Sequence, residues 1–417
     1  MNNKQKSKGL VPRLRFPEFR DAEPWKVKRL GALFFERSER GSNEFELLSV
    51  TISDGVVRTA DLERKNKSNA DLSNYKKVYP GDIVYNSMRM WQGASGVSWW
   101  HGVVSPAYTV VTPNESQNVV FWAYTFKLDH AITKFARFSQ GITSDTWNLK
   151  YPAFSAIEMA FPSEQAEQQR IADCLSSLDD LIAAEGRKLE ALRAHKKGLM
   201  QQLFPREGET VPRLRFPGFE GEWEEKPLNK VAEIIKGRGI SKSDIVAKGK
   251  TPCIRYGELY TTYGEIIEDV VSRTNLTEDN LILSRKGDVL IPSSGETKEE
   301  IATCACVQKN GIALGSDLNI IRSTLDGRFL AYYIKVALQN TLAKLAQGDA
   351  VVHLYPNQLK GLKIQIPKIK EEQQRIADCL SSLDDLISAE GRKLEALRAH
   401  KNGLMQQMFP TLKDVEG

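Results

Sequence analysis

Four stretches of this sequence gather side chains that could read nucleic acid. Asn86-Ser87-Met88-Arg89-Met90-Trp91-Gln92-Gly93 and Ser139-Gln140-Gly141-Ile142-Thr143-Ser144-Asp145-Thr146-Trp147-Asn148 lie in the first half. Ser293-Ser294-Gly295-Glu296-Thr297-Lys298 and Gln347-Gly348-Asp349-Ala350-Val351-Val352-His353 lie in the second. Arg and Lys pair with guanine edges, Asn and Gln with adenine, Asp and Glu with cytosine. Ser, Thr and Lys also serve phosphates. The candidates are Ser87, Arg89, Trp91, Gln92, Gln140, Thr143, Ser144, Trp147 and Asn148, then Arg255, Tyr256, Ser293, Ser294, Lys298, Gln347, His353 and Asn357.

Catalytic constellations are not found. There is no Asp- or Asn-Pro-Pro-aromatic motif of an adenine methyltransferase and no Gly-rich nucleotide-binding turn. Gly249-Lys250-Thr251 resembles the end of a P-loop, but Asp244 stands where the earlier glycine belongs. The five histidines are isolated, and His195 and His400 read as surface or packing residues. Five cysteines make no disulfide framework, and Cys304 with Cys306 lacks a second ligand pair for zinc. The net charge of +5 is compatible with a nucleic-acid partner without demanding one. No run of eighteen apolar residues and no secretory leader is expected, so the reading is cytoplasmic.

The elements that position these loops follow from a repeat. Residues 167–205 and 372–410 match at 36 of 39 positions, differing at Ala183/Ser388, Lys197/Asn402 and Leu203/Met408. A shorter repeat, VPRLRFPEF at 11–19 and VPRLRFPGF at 211–219, opens each half. The intervening blocks show only scattered correspondences, among them Gly-Asp-aliphatic strands (79–85 against 285–291), Gln140-Gly141 against Gln347-Gly348, and a closing Pro162 or Pro367. β-like runs at Asp82–Tyr85, Val103–Val111, Asp288–Ile291 and Gly311–Arg322 mix with amphipathic helices at Val119–Phe138 and Arg328–Leu345. Each block therefore reads as α+β, with net charges of +3 (19 − 16 over 11–162) and +2 (21 − 19 over 211–367).

The 39-residue repeats are predicted to be long helices bounded by proline. Ile171, Leu175, Leu178, Ile182, Leu189, Leu192 and Leu199 form a seam of 3.5-residue period, repeated by Ile376, Leu380, Leu383, Ile387, Leu394, Leu397 and Leu404. Such a seam needs a partner, and the other copy in the same chain is the simplest one. The link at 206–220 is too short for a parallel crossover, so the pair is expected to be antiparallel. Glu185, Lys196, Glu390 and Lys401 interrupt the seam. They either fix register or mark local fraying. Gly186, Gly198, Gly391 and Gly403 weaken the helices and would allow close approach of another chain.

With Glu-Gln-x-x-Ile opening each helix and Leu-Arg-Ala-His-Lys…Gly-Leu-Met-Gln-Gln…Phe-Pro closing it, the chain resembles specificity subunits of Type I restriction-modification systems. The resemblance implies two target recognition domains, 1–162 and 206–367, each reading half of a split, asymmetric site in double-stranded DNA. It implies an intramolecular antiparallel coiled coil from helices 163–205 and 368–410, pseudo-two-fold symmetric, with a tail at 411–417. Two modification subunits would dock, carrying S-adenosylmethionine, and two restriction subunits could join with ATP and Mg. This chain would hold no cofactor, metal or catalytic residue. A helix rod of about 60 Å would act as a ruler, so deleting a heptad from both helices should shorten the gap or abolish binding. A duplicated protein-interaction scaffold that never touches DNA is the competing reading, distinguished by the absence of salt-sensitive DNA binding.

Overall fold

The computed structural model describes residues 10–41, 45–62, 71–277, 279, 281–346 and 352–410. The chain divides into two compact units, Met1–Glu185 with Lys393–Gly417, and Gly186–Arg392. The division cuts through both long helices, Gln165–Leu203 and Lys370–Met408, so each unit holds one block and a segment of each helix.

In the first unit a four-stranded antiparallel sheet runs in the order Phe34–Glu36, Tyr108–Pro113, Ile83–Asn86, Ser95–Val97. In the second unit Ala232–Lys236, Leu318–Ser323, Val289–Pro292 and Ala305–Val307 repeat that order, and Ile266–Ile267 adds a parallel fifth strand. The second unit also has a further four-stranded sheet built on Thr251–Ile254. The two blocks are thus one fold with different additions. In both, the first and last strands pair antiparallel, Lys26 opposite Phe161 and Glu224 opposite Ile366. That pairing brings the ends of a block together where it meets its helix.

Several expected elements are divided. The Val103–Val111 run is two strands, Gly102–Val104 and Tyr108–Pro113, because Tyr108 N–H turns back to the Ser105 carbonyl around Pro106. Gly311–Arg322 breaks likewise into Ala313–Leu314 and Leu318–Ser323. Val119–Phe138 is two helices, Val119–Thr125 and Asp129–Phe138. Arg328–Leu345 is continuous, but its middle turn, Ile334–Leu338, is a π-helix.

The short lead repeat is a clamp. Arg15 forks onto Glu167 (2.8 and 2.7 Å), the first residue of the long repeat, and Trp25 Nε1 donates to the same carboxylate. Arg215, Glu372 and Trp223 repeat the arrangement in the second unit. Both carboxylates are buried. The neighbouring glutamines continue the grip: Gln168 accepts from Asn118 N–H and Gln373 from Asp326 N–H. The Phe-Pro endings also have a structural purpose. Phe409 packs between Trp25 and Phe121, and Phe204 between Trp223 and Phe329.

Within each unit the helix segments run antiparallel. In the first, Asp179 pairs with Lys401 and Glu185 with Lys393. In the second, Lys188 pairs with Glu390 and Lys196 with Asp384. As one number rises its partner falls. All fourteen apolar seam residues named above are buried or half-buried. The polar interruptions are ion-paired across the seam, which resolves the choice between register and fraying in favour of register. Tyr124 and Tyr332 complete the two sites. Each hydroxyl donates to the helix aspartate (2.6 Å to Asp179 and to Asp384) beneath the lysine.

Among the described residues, nothing beyond their own helix backbone and chain neighbours crowds the four helix glycines, where an added Cβ meets no such atom within 4 Å. Gly198→Ala is expected to raise the stability of the second unit by about 1 kcal/mol, the difference in helix propensity, read in urea unfolding. A second chemical expectation concerns the thiols. Burial pushes Cys304 and Cys306 up to about 12, so native protein should react with a thiol reagent first at the half-exposed Cys174 and Cys379.

Candidate nucleic-acid interface

The Gly-Asp motif builds the base of each site. Gly81 and Gly287 take φ of +92° and +95° at the turn into the central strand, a region that favours glycine. The aspartate that follows is buried and structural. Asp82 accepts from Arg37 (2.8 Å) and Thr112 (2.6 Å), and Asp288 accepts from Arg322 (3.2 Å). Burial pushes the Asp288 carboxyl up despite that guanidinium. The motif shared by both blocks thus fixes the strand, and the loop after the strand is left free to differ.

In the first unit the structure joins the two loops that the sequence singled out. Leu149 N–H donates to the Ser87 carbonyl (2.8 Å), and Trp91 meets Trp147 edge to face at 5.5 Å. Gln140 and Asn148 exchange backbone hydrogen bonds (3.1 and 2.9 Å), closing the loop between them. Thr143 and Thr146 cap a short turn inside it. Arg89, Gln140, Thr143 and Ser144 are exposed, while Trp91, Gln92, Trp147 and Asn148 are half-buried. Ser87 differs from expectation. It is 4% exposed and its hydroxyl is bonded to Thr109 (2.8 Å), so it supports the loop from inside and presents nothing to a ligand.

Sequence reasoning missed a third contributor. The hairpin Leu48–Thr51 and Gly55–Arg58 places Ile52, 53% exposed, beside the same loops. Lys127 ties the pieces together, its ammonium donating to the carbonyls of Ile52 (3.0 Å) and Gly93 (2.5 Å). Burial pushes this lysine down to about 8.

The second unit converges in the same way. Leu354 N–H donates to the Ser293 carbonyl (3.0 Å), and Ser294 pairs with His353 in a short antiparallel ladder. His353 stacks on the exposed Tyr355 at 6.1 Å. Lys298 is exposed at the start of a helical turn, Lys298–Ile301, capped by Thr297. Tyr256 packs on Tyr260, whose phenol is raised by burial first and then by Tyr256, Glu300 and Glu296, so this segment lies beside the 296–300 turn. Arg255 is half-buried and paired with Glu258 (3.6 Å). Asn357 is exposed and accepts from Lys360 (3.2 Å). Ser293 requires the same correction as Ser87, since it is 6% exposed with its backbone N–H donating to Asp317. Gln347 lies outside the described residues.

Both surfaces carry hydrogen-bonding side chains on loops held by strands. That arrangement suits the reading of base edges, which needs several groups held at fixed spacing.

Residues 220–399 match the family model of the Type I restriction modification DNA specificity domain. The Type I restriction enzyme MjaVIII specificity subunit of Methanocaldococcus jannaschii is 24% identical over 81% of this chain and 82% of its own length. The crystal structure of a Type I restriction-modification system S subunit from M. genitalium superposes with a TM-score of 0.62 at 16% identity, covering 97% of this chain and all of that one. A further solved chain, from work on complex assembly and conformational transition of the type I R-M system, gives a TM-score of 0.52 at 18% identity over 93% of this chain and 97% of that one. These likenesses to solved structures concern the fold.

Proposed function

We propose that the two blocks read two different halves of one asymmetric DNA site, a reading supported by the match of residues 220–399 to the Type I restriction modification DNA specificity domain model and by a fold similar throughout to that of a solved Type I S subunit. One observation carries this reading. Both heads are gripped by the same residues, Arg15–Glu167–Trp25 and Arg215–Glu372–Trp223, yet the loops they present share almost no sequence. A common mount with unlike faces suits two unlike words.

The near-identical helices suit two copies of one partner. Leu181 and Leu386, equivalent positions in the repeat, stand 40% and 54% exposed. They fit docking of two modification subunits, which would hold S-adenosylmethionine and transfer the methyl group to adenine. Restriction subunits, using ATP and Mg, would join the same complex. This chain would supply the address and no chemistry of its own. Among the described residues no helix is long and apolar enough to cross a membrane.

Mapping methylated adenines in a host carrying this subunit and its modification partner tests the reading. A two-part, asymmetric motif is expected, and binding of the purified complex should weaken steeply with salt. Salt-insensitive association with DNA, or methylation at no defined motif, would favour the scaffold. Leu181→Asp with Leu386→Asp should leave the fold intact and weaken capture of modification subunits at least tenfold in a pull-down titration.

A further inference from the structure

The loop between Gln140 and Asn148 holds a large apolar side chain that the fold does not bury. Ile142 is 100% exposed. Exposed apolar residues are ordinary on mobile segments, but this one stands on a pinned loop. Backbone bonds between Gln140 and Asn148 close the neck (3.1 and 2.9 Å). Trp147 rests against Trp91 at 5.5 Å. The turn Ser144–Thr146 is capped from Thr143. Gly141 takes φ +152°, and a Cβ there would come within 2.6 Å of the Thr146 carbonyl oxygen. Glycine at this position therefore lets the loop fold tightly and holds Ile142 at its tip.

The chemistry around the tip narrows what it meets. Residues 139–147 contain no Lys or Arg and one carboxylate, Asp145. That composition is wrong for the A·T-rich minor groove, whose potential is strongly negative, and its serines and threonines could serve neighbouring phosphates without occupying the tip. It suits the major groove, where cytosine offers an amino donor to a carboxylate and thymine offers the one apolar group, its C5-methyl.

We propose that Ile142 is a specificity-determining residue that contacts a thymine methyl in the major groove of the half-site read by the first block. The inference rests on the DNA-reading function proposed above, and names one contact within it.

The test uses the full chain complexed with its modification subunits and duplexes carrying the mapped site. Each thymine of the first half-site is replaced singly by deoxyuridine, which removes only the methyl. One replacement should weaken binding about fourfold, the value of one buried methyl-sized group at ~0.8 kcal/mol. For Ile142→Ala that same replacement should have no effect, so the pair forms a chemical double-mutant cycle. Because Ile142 touches no core residue, the variant should melt with the wild type. Three results overturn the proposal: a half-site without thymine, no thymine whose methyl matters, or equal sensitivity in wild type and Ile142→Ala. A loss in the variant that ignores the methyl but abolishes DNA bending would mean a wedge between base steps, and overturns it too. In all these cases the complex still prefers its motif, so the DNA-reading function survives. A complex that prefers no motif removes both.

Discussion

Glu167→Ala should destabilise the first unit by about 3–5 kcal/mol, because it strands a buried guanidinium. The Arg15 side chain is 7% exposed and Glu167 2%. Arg15 also donates to the carbonyls of Ala22 (2.8 Å) and Glu23 (2.9 Å), so some of its hydrogen bonding survives. Among the described carboxylates only Glu167 lies at salt-bridge distance from it, however, and Trp25 Nε1 loses its acceptor (3.2 Å) in the same step. A loss of this size is a large fraction of the 5–15 kcal/mol that holds an ordinary domain together. The double variant Arg15→Ala with Glu167→Ala should cost less than the sum of the two single changes, since the second deletion removes a charge already unpaired. Glu372→Ala supplies an internal control, with the same loss confined to the second unit. Hydrogen exchange in urea, read separately for peptides of each unit, measures both. A change below about 1 kcal/mol would place the pair with exposed ion pairs and refute the clamp.

What the sequence showed and hid has a common physical origin. The seam was legible because its spacing is local: Ile171 to Leu199 lie on one helix face, whatever packs there. The loops were legible because Gly81-Asp82 and Gly287-Asp288 mark the turn into a central strand, and the loop follows at a fixed offset. The clamp was not legible. Arg15 and Glu167 are 152 residues apart, and no periodicity links them. One signal was available for the tyrosine sites: Phe121-Trp122-Ala123-Tyr124 and Phe329-Leu330-Ala331-Tyr332 share Phe-x-Ala-Tyr. Ser87 and Ser293 were misjudged for a local reason. A serine at a strand end faces solvent or core according to the register, and Thr109 on the neighbouring strand turns Ser87 inward. The break after Thr125 carries neither Gly nor Pro, so the helical pattern ran on through Leu128 in the reading of composition alone.

The second large effect is a reversal of pH dependence. Lys196 bonds both Asp384 (2.5 Å) and Glu265 (2.8 Å), whereas its counterpart Lys401 bonds Asp179 alone among the described carboxylates. Burial pushes the Glu265 carboxyl up, and Lys196, with Lys335 and a backbone hydrogen bond, more than offsets it, holding the group below its ordinary value of 4.5. In the wild type the unfolded chain therefore takes up this proton more readily than the folded one. The stability it contributes is present above pH 4.5 and is lost as pH falls through the lower folded value. Lys196→Met keeps the length and apolar stem but removes the charge. Glu265 then stays half-buried, with only Lys335 and a backbone hydrogen bond left to oppose its burial, and its pKa moves upward. At neutral pH the second unit should lose about 1–3 kcal/mol, between the cost for an exposed pair and that for a buried charge without its partner. As pH falls from 7 towards 5, the variant's folded state takes up the proton first, so its stability should rise where the wild type gains nothing from this group. Unfolding curves measured at pH 7, 6 and 5 should therefore converge. Curves that stay parallel over that range would show that Glu265 is solvated once Lys196 is gone, and that the lysine holds no buried charge in place.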